Sequence, residues 1–300
     1  MKKIRTVTGF ISYLSGDEEP LNEFKYSYKE YDSEQNLIKE VTYTGEGEIE
    51  TASAYKFDGS NVLIEEIHYL NETEVAERIE YKYDENGAHR LIEKTYSDGS
   101  KNIQNFSQNG KIVKILITNE DNEFEGEIIR ELDARGNAVK ETVYNYQRKI
   151  EQRFICEYDA GNFLTRLVEF GDNDEFIIEK LYHYNEKGLM TKETHLSERG
   201  KLVDMWQWEY DENGNTLLQR SNDIIKRYYY DDNKRLIRDE SIHIPAESVI
   251  SSNNYKYDDK GLLIEVESYE MGEQYQVQPA IMARSASIHT RIRYEYELFA

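Results

Sequence analysis

Tyr81-Lys82-Tyr83-Asp84-Glu85-Asn86-Gly87 decides the fold. The same string returns as Trp208-Glu209-Tyr210-Asp211-Glu212-Asn213-Gly214 and as Tyr255-Lys256-Tyr257-Asp258-Asp259-Lys260-Gly261. With the Asp as a ruler, copies fall at Asp32, Asp58, Asp84, Ser107, Asp133, Asp159, Asn185, Asp211, Asp231 and Asp258, most of them 26 residues apart. Before each turn the residues alternate. Ile79, Tyr81 and Tyr83 share one face and Arg78, Glu80 and Lys82 the other, the period of a half-buried strand. After the turn a second run of the same type follows, Leu91 to Tyr96, and Ser97-Asp98-Gly99 sends the chain back. Each unit is therefore a hairpin. Asp and Asn bond nearby amides and Gly accepts positive φ, so the string is turn chemistry rather than a calcium loop.

A repeat of this length spreads function over a surface. Ten hairpins give about 20 strands, roughly 95 Å of sheet at 4.8 Å per strand, and open sheets that wide curl or split. The expected fold is all-β: antiparallel hairpin repeats forming a long, curved or spiralling sheet, with tyrosine, leucine and isoleucine on its inner face. One repeat domain covers 1–300. Residues 1–25 form an N-terminal cap, 26–273 the repeats, and 274–300 an irregular loop and a capping strand. The 242–249 stretch is also expected to leave the hairpin pattern as a loop. Only three prolines interrupt the chain, as a hydrogen-bonded sheet requires.

The pattern Tyr-x-Tyr-Asp-x-x-Gly followed by Leu or Leu-Ile resembles the YD repeat of the Rhs family, found in bacterial polymorphic toxins and teneurin-like surface proteins. The resemblance covers about Tyr26–Tyr269 and implies a hairpin ribbon like part of an Rhs shell. The Arg usual after the turn glycine is mostly missing, with an echo at Asn233-Lys234-Arg235-Leu236. No self-cleavage segment and no enclosed domain follow the repeats. The chain reads as a small standalone relative.

Chemistry is sparse. The six histidines lack metal-ligand spacing, although His183 and His195 flank one turn and could face each other. Cys156 has no local base, and no phosphate loop or nucleophile elbow occurs. The expectation is no enzyme, no cofactor and no metal site.

Charge points to partners. Fifty-nine acidic residues against 37 basic give a net charge of −22, which disfavours nucleic acid and anionic membranes and complements a basic protein. The N-terminus lacks the apolar core of a secretory signal and no segment reaches 18 apolar residues, so a cytoplasmic location without a membrane span is expected. These features suggest a protein-binding scaffold, concretely an immunity protein or antitoxin that neutralises a basic bacterial toxin or effector. A carbohydrate-binding or cell-surface module is the alternative. Candidate binding residues stand where the repeat lapses: Trp206 and Trp208, two apart on one strand; Tyr228 and Tyr229 in the short unit before Asp231; and Tyr275 in the irregular C-terminal part.

Overall fold

The structure is a computed structural model that describes residues 3–14, 21–272, 274–278, 281–284 and 287–299, without the side chains of 21, 274–278 and 281–284. Among the described residues are 24 strands, one 3-10 turn at Asp172–Asp174 and no α-helix. Twenty-two strands share one sheet, and the other two, Gln274–Gln278 and Ile281–Arg284, pair with each other. The chain divides into two compact units, one of Met1–Ala52 with Gln207–Ala300 and one of Ser53–Trp206.

In the second unit the repeat builds what its sequence predicts. Val75–Tyr83 pairs antiparallel with His89–Tyr96, and Ile150–Tyr158 with Leu164–Phe170. A register shift sits just before Tyr83 and before Tyr158. Such bulges raise the local twist and turn the last tyrosine toward the previous repeat. Arg78, Glu80 and Lys82 are exposed while Ile79, Tyr81 and Tyr83 are half-buried, so one face is charged and the other aromatic. The copy at Ser107 departs from the pattern. Lys101–Asn109 runs through it as strand and turns over Gly110 and Lys111.

In the first unit the chain ends meet. Counting all 24 strands in chain order, Ile4–Tyr13 is β1, Leu21–Tyr31 β2, Leu37–Tyr43 β3, Ile49–Phe57 β4, Leu263–Glu270 β21 and Ile288–Leu298 β24. β24 carries Tyr294-Glu295-Tyr296, the chemistry of a pre-turn strand. β21 lies on one side of β24 and β1 on the other, in register from Tyr13 opposite Thr290 to Thr6 opposite Glu297, with a bulge before Ile4 opposite Leu298. β1 also pairs with β2, so neither end of the chain is an edge.

This pairing corrects the expected open, curved or spiralling sheet. Within the 22-stranded sheet β1 lies between β24 and β2, so the first and last strands are joined to each other in place of the two free edges of an open ribbon. Pairing β1 with β24 removes two unpaired edges whose amides and carbonyls would otherwise stay open to other chains. The 242–249 stretch is not the expected irregular loop. Ile242 and His243 end one strand, Ser248 begins the next, and four residues turn between them.

Side chains hold the closure. Gln35 bonds Ile4 with both ends of its amide, Nε2 to the carbonyl at 2.7 Å and Oε1 from the N–H at 2.9 Å. Lys3 Nζ donates to the Ser33 carbonyl, and Arg293 forks onto Glu23 at 2.7 and 3.0 Å while stacking over Phe10. The core is thin: Val41, Ala52 and Val266 are buried in this unit and Ile115 and Val168 in the other. Cross-strand pairs at half-buried positions carry the packing instead, at roughly 0.2–1 kcal/mol each.

Candidate functional site

The two most repeated side chains are occupied by the fold. Asp84 Oδ1 accepts the N–H groups of Asn86 and Ala88 at 2.8 and 3.0 Å, and Asp211 accepts those of Asn213 and Asn215, both at 2.8 Å. Asn185 does the same without charge, toward Lys187 and Leu189. These bonds, led by that from the Asn215 side chain, hold the Asp211 carboxyl down at about 2. The last tyrosine before each turn also has a set task. Tyr83, Tyr158 and Tyr184 donate to the carbonyls of Leu63, Ala138 and Leu164, each 20 residues back. In the first unit Tyr230, Tyr257 and Tyr296 lock onto Thr216, Leu236 and Leu263 in the same way.

The sequence-derived candidates scatter. Trp206 is half-buried, its indole N–H donating to Asp204 Oδ2 at 3.0 Å. Trp208 is half-buried opposite Gln219, whose Oε1 accepts the Tyr228 hydroxyl, so Trp208 and Tyr228 share the aromatic face. Tyr229 points to the other face, where its hydroxyl reaches the buried Glu240 at 2.8 Å beside Arg227 and Arg238. Tyr275 lies on Gln274–Gln278, and its side chain is outside the described residues. His183 faces Lys192, and His195 faces Lys180, so the two histidines are not opposite. Among the described residues no three His, Cys, Asp or Glu side chains gather as metal ligands.

What sequence reading missed is a cavity of about 530 Å³ in the first unit, where the closing strands meet. Four tyrosines line it: Tyr26, Tyr31, Tyr294 and Tyr296. The register of β24, β1, β2 and β3 puts Tyr296, Val7, Lys29 and Glu40 in one row and Tyr294, Gly9, Ser27 and Thr42 in the next. Thr42 Oγ1 lies 2.7 Å from Thr51 Oγ1 on β4. Ile4 and Leu263 add apolar wall.

Tyr26 enters by a bulge. Gly9 pairs with Ser27 and Phe10 with Lys25, leaving Tyr26 as the extra residue. It joins Tyr294 in the cavity wall. Gly9 makes the room, since a Cβ there would lie 2.4 Å from Ser27 Oγ and 2.8 Å from the Tyr26 ring. Burial, and then Tyr26, push the Tyr294 phenol up; burial, and then Asp258 and Tyr31, push up Tyr296. Both stay protonated donors at neutral pH. Lys29 Nζ stands 3.5 Å from Glu40, balancing the charges of the wall. A signal of this site in the sequence is Tyr294-Glu295-Tyr296, which carries the residues of a pre-turn strand.

No family model and no curated protein matches the chain. Among solved structures it is similar to TcdB2-TccC3-Cdc42 at 12% identity and TM-score 0.42, over 82% of this chain and 15% of that one. It is similar to the Photorhabdus luminescens Tc holotoxin pore at 12% identity and TM-score 0.41, with the same coverage. A porin-like protein from Bacteroides uniformis matches over 98% of both chains at 8% identity and TM-score 0.34. The chain spans about 15% of the length of the Tc chains it matches. At these TM-scores the likenesses carry no function to it.

Proposed function

We propose that this chain is a non-enzymatic protein-binding scaffold that acts in the cytoplasm, concretely an immunity protein that captures and neutralises a basic toxin or effector. The carrying observation is where its acidity lies. The repeating Asp carboxyls are spent on turns, yet Glu34, Glu46, Glu48, Glu85, Glu186, Glu212, Asp232 and Asp259 are exposed at turns, within a net charge of −22. Acidic turns of this kind steer a cationic protein and disfavour acidic competitors. The likeness of the repeat to the YD repeats of Rhs toxin systems supports the toxin context by analogy alone.

A water-facing role fits the strands. Among the described residues no helix is long and apolar enough to cross a membrane, which says nothing of a barrel. A lipid-facing strand needs an apolar outer band. The exposed face of Val75–Tyr83 instead carries Arg78, Glu80 and Lys82. The half-buried tryptophans offer no open platform for sugar stacking.

Co-expression with the products of neighbouring genes tests the proposal. The expected result is rescue of growth from one toxic, basic product and a complex that weakens as salt rises. Failure to rescue growth from every toxic neighbour would overturn it.

A further inference from the structure

The tyrosine-lined cavity is chemically unlike the acidic turns, and its walls suit a cation. Four tyrosines line it, and the faces of phenol rings are electron-rich and attract a guanidinium. The same unit already uses this contact repeatedly. Lys25 Nζ sits 4.5 Å from the Tyr43 ring centre, Arg235 stands 4.8 Å from that of Tyr257, and Arg293 stands 4.6 Å from that of Phe10. Among the described residues no Lys or Arg of the chain stacks on Tyr26, Tyr31, Tyr294 or Tyr296.

The wall also holds a carboxylate. Glu40 stands 3.5 Å from Lys29, beyond a strong charge-assisted hydrogen bond, and both side chains are more than a third exposed. Pairs of that kind are held weakly, and Glu40 keeps a further contact besides Lys29. A planar guanidinium can fork onto a carboxylate with two N–H groups, which a lysine ammonium cannot match. Phenol and threonine oxygens around it accept the remaining N–H groups. The volume, about 530 Å³, lies within the range of small-ligand sites.

We propose that this cavity receives an arginine side chain of the basic partner, its guanidinium stacked on the tyrosines and paired to Glu40 in place of Lys29. The inference rests on the protein-binding reading above and names where that partner is anchored.

The probe is Nα-acetyl-L-arginine amide, with the neutral isostere Nα-acetyl-L-citrulline amide as control, titrated against the full chain by NMR. The arginine amide binds about tenfold more tightly than the citrulline amide, the scale of one desolvated cation–π contact. Glu40→Gln, nearly isosteric, weakens the arginine amide severalfold at an unchanged melting temperature. Lys29→Met, which removes the competing ammonium, strengthens it. Equal binding of both amides, no binding of either, or weaker binding in Lys29→Met would overturn the proposal, the last because it marks an anion site.

The small probe separates this inference from the reading beneath it. If the arginine amide binds as stated and no toxin is neutralised, the cavity stands and the immunity role falls. If a basic toxin is neutralised equally by wild type and by Glu40→Gln, the role stands and the arginine anchor falls.

Discussion

Replacing Gly9 tests how the closing strand is seated. A side chain at residue 9 on β1 meets Ser27 Oγ at 2.4 Å and the Tyr26 ring at 2.8 Å. The serine hydroxyl can rotate away, but the Tyr26 ring, set in the bulge opposite Gly9, must move as a whole. Gly9→Ala therefore destabilises by about 1 kcal/mol and Gly9→Leu by about 2–3 kcal/mol, the range for overpacking a well-filled site. For 300 residues at about 2.1 cal/mol/K each, 2 kcal/mol lowers Tm by about 3 °C, and by more if the first unit melts separately. Thermal melts followed by circular dichroism read the shift, and hydrogen exchange locates it, with faster exchange expected at Ile288–Leu298. Adding Tyr26→Ala to Gly9→Ala should recover part of the packing loss, so the two changes are non-additive. A Gly9→Leu chain that melts and exchanges like wild type would refute the reasoning, because β1 could then not be seated against β2 as described.

Three further outcomes follow from the repeat itself. Tyr83→Phe and Tyr184→Phe each cost about 0.5–1 kcal/mol in urea unfolding, the low end for a hydrogen bond because both hydroxyls are only part-buried; no loss in either would remove the tyrosine lock. Asp211 titrates at about 2 in the folded chain against an ordinary 3.8, so its contribution is full above the unfolded value and drains as pH falls from about 4 to 2. Asp211→Asn keeps the acceptor used by Asn185 and should show a shallower acid limb than wild type, and an identical limb would contradict the assignment. Burial raises the Cys156 thiol above its ordinary value, with Tyr158 opposing, so iodoacetamide should label it slowly in the native chain and quickly in urea. Equal rates would mean the thiol is open.

The hairpins were legible because their causes are local. Asp, Asn and Gly fix each turn within five residues, and two-residue alternation fixes the faces. Ser107 shows the limit of that reading, since the period places a turn there while the strand runs on to Asn109 and the chain turns at Gly110. Closure was illegible for the opposite reason. Pairing Ile4 with Leu298 joins residues nearly a whole chain apart, and β1 has no Tyr-x-Tyr-Asp string to show what it completes. The cavity inherits that difficulty. Val7, Ser27, Glu40 and Tyr296 become neighbours only through the register of four strands, and Tyr26 reaches them through a bulge that shifts the two-residue alternation. Trp206 and Trp208 drew attention by residue type, while their burial is set by neighbours that strand period does not reveal.

The pairing of β1 with β24 is the claim on which the closed sheet and the cavity both depend. Thr8 lies opposite Glu295 on these strands. Facing residues on antiparallel strands have Cα atoms about 4.5–5.5 Å apart, within disulfide reach. The measurement is mild oxidation of Thr8→Cys/Glu295→Cys in a Cys156→Ser background, read by intact mass and by peptide mapping. The account predicts a monomer that loses two hydrogens and yields a single cross-linked peptide joining the first and last strands. Free thiols after oxidation, or links only between separate chains, would contradict it.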